Sequence, residues 1–326
     1  MGKECVKKEA VSVRQLAVTA FVGGLAPAAA GAANGWQGTL LAVPMVLLAG
    51  GVSAFLAPRW PSVEGRLPGY LLKVCYAVFG LALLSRGLAR SAERLALTGG
   101  GGEAAEVWLV LLQAALLAWM SRGKPAAFFR TAEICCLAMV VLSLAILAWG
   151  AAKIEWRYLM LPSVSLSGGA LTALETAGTF LFVIPYIYKE AVRPGDGGRA
   201  MGWLAALALG SVLLAAVTAG VLSPSVLSLT EAPFFTMTAA LGSSIRVDGL
   251  VSALWLLSDV MYLGLLSRSW HRRGRERDWL PAAAIFLAGA AACFGVPNLF
   301  FEPLWGLGMA AVWVISTLIL WLGGKK

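Results

Sequence analysis

The sequence predicts an all-α polytopic membrane protein with ten transmembrane helices arranged as a five-plus-five inverted repeat. Three observations lead there. Of its 326 residues, 59% are hydrophobic and only 13% charged, about half the charge of a soluble domain, and the mean hydropathy is +0.79. The apolar residues fall in runs of about 18 or more, long enough to cross a hydrocarbon core of ~30 Å as helix. The basic residues alternate from loop to loop, as the positive-inside bias requires. The same composition excludes a disordered chain and argues against an ordinary soluble enzyme. The chain reads as one membrane domain over residues 1–326, with a first repeat at about 13–150 and a second at about 170–323.

Each span is helical by necessity, because an unpaired backbone group finds no water in lipid. The first covers about 13–33 and follows Lys3, Lys7 and Lys8, with Arg14 at its start. The second, 38–57, is led in by Trp36. The third, 69–94, runs towards Gly99–Gly102, a flexible turn into the fourth at 105–121. The fifth, 130–150, has Arg130 and Glu133 at its start and Trp149 at its end. The sixth and seventh cover 170–190 and 201–222. The eighth, 248–268, carries Asp259 about eleven residues into an apolar stretch. The ninth, 279–295, begins at Trp279, and the tenth covers 303–323. Trp60, Trp156 and Trp270 also sit near span ends, where interfacial aromatics belong.

With the N-terminus in the cytoplasm, the inner loops collect twenty of the 26 basic residues. The outer side holds Arg86, Arg90, Arg94, Lys153, Arg157 and Arg246. A wrong span count would scramble that alternation, so the bias supports both the number and the orientation, with both termini cytoplasmic. A rival reading makes the start a cleaved signal peptide, with Lys3–Lys8 as its basic head and small residues around Ala28–Ala33. Arg14 shortens the apolar stretch, and removing the first span would spoil the alternation, so a retained first helix is expected.

The net charge of +9 sits in short loops, where topology and anionic lipid account for it without nucleic acid. The densest cluster, Arg268–Arg277, reads as a topology anchor or as a docking patch for a cytoplasmic partner. The only histidine, His271, lies in that cluster and cannot by itself build a metal site. Cys75, Cys135, Cys136 and Cys293 lie in apolar runs and read as small core residues, with Cys5 outside them and no metal spacing among the five. No serine–histidine dyad or nucleotide loop is present, so neither an enzyme nor a cofactor is expected.

Polar chemistry inside the membrane points instead to a ligand. In inverted-repeat folds the first helix of each half is broken at the midplane, and the exposed half-helix ends bind the ligand. The first span reads FVGGLAPAAAG, in which Gly23 and Gly24 loosen the backbone and Pro27 cannot donate to a helical bond. The sixth reads ALETAGTFLFVIPYIYKE, with Gly178 central and Pro185 beyond it. The expectation is a pair of breaks whose N–H groups hold a carboxylate and whose carbonyls face a cation. The plainer alternative is that these glycines mark close helix packing. Intramembrane ionisable residues are expensive and therefore functional candidates. Asp259 and Glu175 are the sharpest, while Arg130 and Glu133, three apart on one face, are expected to form a structural ion pair.

Several segments resemble the endospore germinant-receptor B-subunit family. They are VSVRQLAVTAFVGG at the start, ANGWQGTLLAVPMVLL at the second span, GKPAAFFRTAEI before the fifth, FLFVIPYIYKE ending the sixth, and APFFTMTAALGSSIRVDGLVSALWLLSDV running into the eighth. Their order and spacing cover nearly the whole chain from about residue 11. The pattern departs from the family at Asn34 and at Asp259. The resemblance implies a leucine-transporter-type fold within the amino acid–polyamine–organocation transporter superfamily. It also implies a place in the spore inner membrane or cell membrane, beside an A subunit and a C-subunit lipoprotein. The ligand would be a small germinant, often an amino acid, held by Gly23, Gly24, Leu25, Ala26 and Pro27 together with Thr176, Ala177, Gly178 and Thr179, with the third and eighth helices as walls. The intramembrane carboxylates Glu175 and Asp259, read from the sequence apart from the resemblance, would face its ammonium. Two other readings use the same fold: a cation- or proton-coupled amino-acid transporter with Asp259 as proton carrier, and a structural subunit that binds no ligand.

Overall fold

The computed structural model describes residues 12–31, 35–56, 67–99, 103–123, 125–160, 197–230, 233–242, 247–268, 279–296 and 302–323. Among them are the helices α1 (Val13–Gly31), α2 (Gly35–Leu56), α3 (Leu67–Gly99), α4 (Glu103–Ser121), α5 (Pro125–Ala151), α6 (Trp156–Met160), α7 (Gly197–Val221), α8 (Pro224–Leu229), α9 (Pro233–Leu241), α10 (Val247–Arg268), α11 (Leu280–Cys293) and α12 (Glu302–Gly323). Nine of the expected spans each coincide with one of these helices to within a few residues. The sixth, 170–190, lies outside the described residues.

Local sequence explains where several helices begin and end. Ser12 and Gln15 form a reciprocal capping box at the start of α1: each backbone N–H bonds the other's side chain at 3.2 Å, which satisfies donors that the first turn would otherwise leave open. Ser223 caps α8 with Pro224 behind it, a position where a missing N–H costs nothing. Helix α11 closes where Phe294 N–H bonds Ala290 O at 3.0 Å and Gly295 turns to φ +69°, a conformation glycine adopts without strain.

Among the described residues, five helices are long and apolar enough to cross a membrane, within α3, α4, α5, α7 and α10, and shorter apolar stretches lie in α2, α11 and α12. The chain is an integral membrane protein. Helix α10 is central, with 67% of its most apolar window buried, whereas α5 at 28% is peripheral. The outer face of α5 shows why. Ile134, Leu137, Val141 and Leu144 recur at helical spacing and are all exposed, as a face meeting lipid tails should be.

Two apolar clusters hold the bundle. The larger joins α1, α3, α4, α5, α10 and α11 around residues such as Val22, Leu84, Leu117, Met139, Leu263 and Ile285. The smaller lies at one end, where the last turns of α5 and α7 meet α8, α9 and the start of α10 around Val217, Phe234, Met237 and Trp255. Helix α1 packs against α5, α7, α9 and α10, and α10 packs in turn against α3 and α4.

The expected break in the first span does not occur. Helix α1 runs without interruption through Gly23–Pro27 to Gly31. The physical reason lies on its neighbour: a Cβ added at Gly23 would lie 2.9 Å from the Tyr262 Cα. The glycine serves close approach of α1 to α10, the packing role small residues play between membrane helices. Pro27 removes one helical hydrogen bond, which a helix supported by its neighbours tolerates.

Candidate functional site

The site grows from the periodicity of α10. Residues three or four apart share a helix face, so Ser252, Trp255, Leu256 and Asp259 line one side and Ser258 and Tyr262 another. The second face meets α1: the Ser258 hydroxyl, fully buried, donates to the Val22 carbonyl, and Tyr262 backs onto Gly23. The first face meets α3 and α9.

There Asp259 finds its counter-ion. Arg94 Nη2 donates to both carboxylate oxygens, at 2.8 and 2.7 Å, and the two side chains are only 19% and 11% exposed. Arg94 also bonds its own helix, Nε to Arg90 O at 3.2 Å, which aims the guanidinium across the interface. A charge-assisted contact of this kind is short and strong, and at membrane depth it meets the general requirement that an ionisable residue be paired. Ser91, one turn before Arg94, lines the same cavity as Asp259 and accepts from Gln113 Nε2 of α4 at 3.1 Å. Polar groups of α3 and α4 thus gather on the Asp259 side of α10.

The pair borders a small cavity lined by Ser91, Arg94 and Leu95 of α3, Phe235 of α9, and Ser252, Trp255, Leu256 and Asp259 of α10. Its volume is about 10 Å³, room for one water-sized sphere. Aromatic packing shapes the wall. The Trp255 ring stacks on Phe234 with centroids 4.5 Å apart and meets Phe235 edge-on at 6.1 Å. Trp255 is 2% exposed, and its Nε1 has no hydrogen-bond partner among the described residues. Buried donors are usually satisfied, so this N–H stands out.

Val22 and Ser258, which bond one another, are the chain neighbours of Gly23 and Asp259, but Asp259 lies on the other face of α10, towards α3. Gly23, Gly24 and Leu25 are buried, while Ala26 and Pro27 continue the helix. Glu175, Thr176, Ala177, Gly178 and Thr179 lie outside the described residues. Arg130 and Glu133 do not form the expected ion pair: Glu133 accepts from Gln15 Nε2 of α1 at 3.3 Å, while Arg130 is exposed and forms no ion pair among the described residues. Cys136 is buried, and Cys75, Cys135 and Cys293 are half-buried and free. Arg94, Ser91, Trp255 and Ser258 escape a reading of the sequence alone. Arg94 carries a usable signal, since a buried aspartate in the eighth span demands a cation from another span.

No protein-family profile matches the sequence, and no curated protein does. Solved structures do match. The fold is similar to that of MhsT, solved in complex with L-phenylalanine, at 15% identity and a TM-score of 0.61, over 96% of this chain and 86% of that one. It is also similar to MHP1, a nucleobase-cation-symport-1 family transporter solved in a closed conformation with bromovinylhydantoin bound, at 14% identity and a TM-score of 0.54, over 98% of this chain and 73% of that one. This chain shares the fold of these two structures, the leucine-transporter-type fold.

Proposed function

We propose that the chain is a non-enzymatic membrane protein that binds a small amino acid in a transporter-type pocket. The observation that carries this reading is the likeness over 96% of the chain to a protein solved with L-phenylalanine. The residues proposed for the pocket are Gly23–Pro27 and Glu175–Thr179, with α3 and α10 as walls and Asp259 nearby. The architecture is ten spans in two inverted halves of five, supported by the helices at nine of the expected spans and by the loop charge bias. Both termini are then cytoplasmic, and the end holding α8 and α9 faces outward.

A ligand at ~100 times its dissociation constant stabilises the protein by about 2.7 kcal/mol. Thermal unfolding of the purified protein with a panel of amino acids should therefore show a clear upward shift for at least one. Loss of that shift in Gly178→Trp supports the pocket; no shift with any amino acid removes the reading.

Two further readings differ in the consequence of binding. As a cation- or proton-coupled transporter, the protein moves its ligand across proteoliposome membranes. As the B subunit of a germinant receptor, it senses the ligand in the spore inner membrane with an A subunit and a C-subunit lipoprotein. The resemblance of segments such as FLFVIPYIYKE favours the receptor. Ligand uptake into proteoliposomes that is driven by an imposed ion or proton gradient would overturn the receptor in favour of the transporter.

A further inference from the structure

The Arg94–Asp259 pair offers, side by side, the two charges that complement a free amino acid. The guanidinium matches a carboxylate, and the carboxylate matches an ammonium. The pair is neither at the surface nor sealed, with its side chains 19% and 11% exposed. It borders a cavity whose remaining wall is mostly Leu95, Leu256, Phe235 and Trp255, and the deeply buried Trp255 Nε1 has no partner among the described residues.

From this geometry we infer that the Arg94–Asp259 cavity is an amino-acid station, where the ligand's carboxylate takes Arg94, its ammonium takes Asp259, and an uncharged side chain lies on the apolar wall. This rests on the reading of the chain as an amino-acid-binding protein and adds where, and by which charges, the zwitterion is held. The chemistry is an exchange of partners. Separating a buried ion pair takes from each charge the partner that offsets its burial, and removing one partner has the same defect. A zwitterion avoids that penalty by supplying both opposite charges at once. A carboxylate without an amine, or an amine without a carboxylate, compensates only one. Because the cavity now holds only about 10 Å³, a ligand enters by moving α3 and α10 apart at this level. Occupancy is thereby coupled to the relative position of the two helices, and a ligand shifts that balance only by favouring the parted state.

The test uses the full-length protein in lipid nanodiscs and calorimetry with glycine, L-alanine, L-leucine and L-phenylalanine. Each amino acid that binds is compared with its des-amino acid and its decarboxylated amine. The expected result is at least tenfold weaker binding for both analogues. R94Q and D259N should each weaken the zwitterion at least tenfold, and the exchanged pair R94D/D259R should recover part of the loss, since the zwitterion can reverse its ends. An analogue binding as tightly as its parent overturns the inference, and this comparison needs no variant to fold. Binding unchanged in R94Q and D259N but lost in G178W also overturns it, while leaving the amino-acid reading intact. No binding of any of the four amino acids to the folded protein overturns both.

Discussion

Gly23 faces the backbone of Tyr262 so closely that a Cβ on it would lie 2.9 Å from the Tyr262 Cα and 3.0 Å from its N. Backbone cannot swing aside as a side-chain tip can, so Gly23→Ala should push α1 off α10 and strain the Ser258–Val22 hydrogen bond. The expected cost is ~1–3 kcal/mol, the range for overpacking. Two other helical glycines calibrate it. At Gly87 the obstructing atom is Leu263 Cδ2, at 2.5 Å, the far end of a flexible side chain; at Gly210 nothing lies within 4 Å. Thermal unfolding should therefore rank Gly23→Ala least stable, Gly87→Ala intermediate, and Gly210→Ala at or above wild type, because alanine favours helix by up to ~1 kcal/mol. A Gly23→Ala protein as stable as Gly210→Ala would contradict the close approach.

Removing one charge of a buried pair is worse than removing both. Asp259→Asn leaves the Arg94 guanidinium without its bidentate acceptor, and Arg94→Gln leaves the carboxylate without its cation. Each single variant should lose ~3–5 kcal/mol, the range for breaking a buried pair by removing one partner. The double variant Arg94→Gln/Asp259→Asn should lose clearly less than the sum of the two. A double-mutant cycle of thermal unfolding reads the coupling directly, and simple additivity would mean that the two charges do not hold each other.

Much of the architecture is legible in the sequence because membrane helices carry their own signal. Apolar runs delimit helices at nine of the ten expected spans, and no tertiary contact is needed to see them. The roles of individual residues are not legible in the same way. Gly23 and Gly24 suit a broken helix and a tight helix crossing equally well, and only the position of Tyr262, 239 residues later in the chain, decides between them. Asp259 stands out as a charge in an apolar stretch, yet its partner lies on another helix and spacing cannot name it. Arg130 and Glu133 satisfy the three-residue rule, but Glu133 turns to Gln15 of α1, a contact that periodicity within α5 does not report. Arg268 reads as part of the basic loop beyond it, whereas it is the buried last residue of α10.

Trp255 separates packing from polar chemistry. Its ring fills the junction of α9 and α10 against Phe234 and Phe235, while its Nε1 contributes no hydrogen bond to the described structure. Trp255→Phe keeps an aromatic ring but removes an unsatisfied donor, whose burial costs ~1–3 kcal/mol. That gain offsets the lost ring volume, so the unfolding midpoint should move by only a few degrees. Trp255→Ala keeps neither and should cost ~3–5 kcal/mol. Equal losses in the two variants would show that the N–H is satisfied after all.

At the opposite end of α10 the buried Arg268 ties three helices together. Its guanidinium lies over the Phe128 ring, 4.7 Å from the centroid, and its Nη2 donates to Met120 O at 3.2 Å and Gly123 O at 3.4 Å. Those carbonyls belong to the end of α4 and the turn into α5, where a helix leaves acceptors unpaired and favours a cation. Next to it, Gly264 admits the Phe128 ring, since a Cβ there would stand 2.6 Å from Cε2. Arg268→Ala should cost about 2 kcal/mol, from the lost charged hydrogen bonds and the cation–π contact together. Arg268→Lys keeps the charge but lacks the planar fork that stacks on a ring while reaching two acceptors, so it should recover only part of the loss. Hydrogen exchange at the α4–α5 turn reads the effect locally: Gly123 and its neighbours should exchange faster in Arg268→Ala, with Lys intermediate. Protection identical to wild type in both variants would mean that the turn holds itself and that Arg268 does not anchor it.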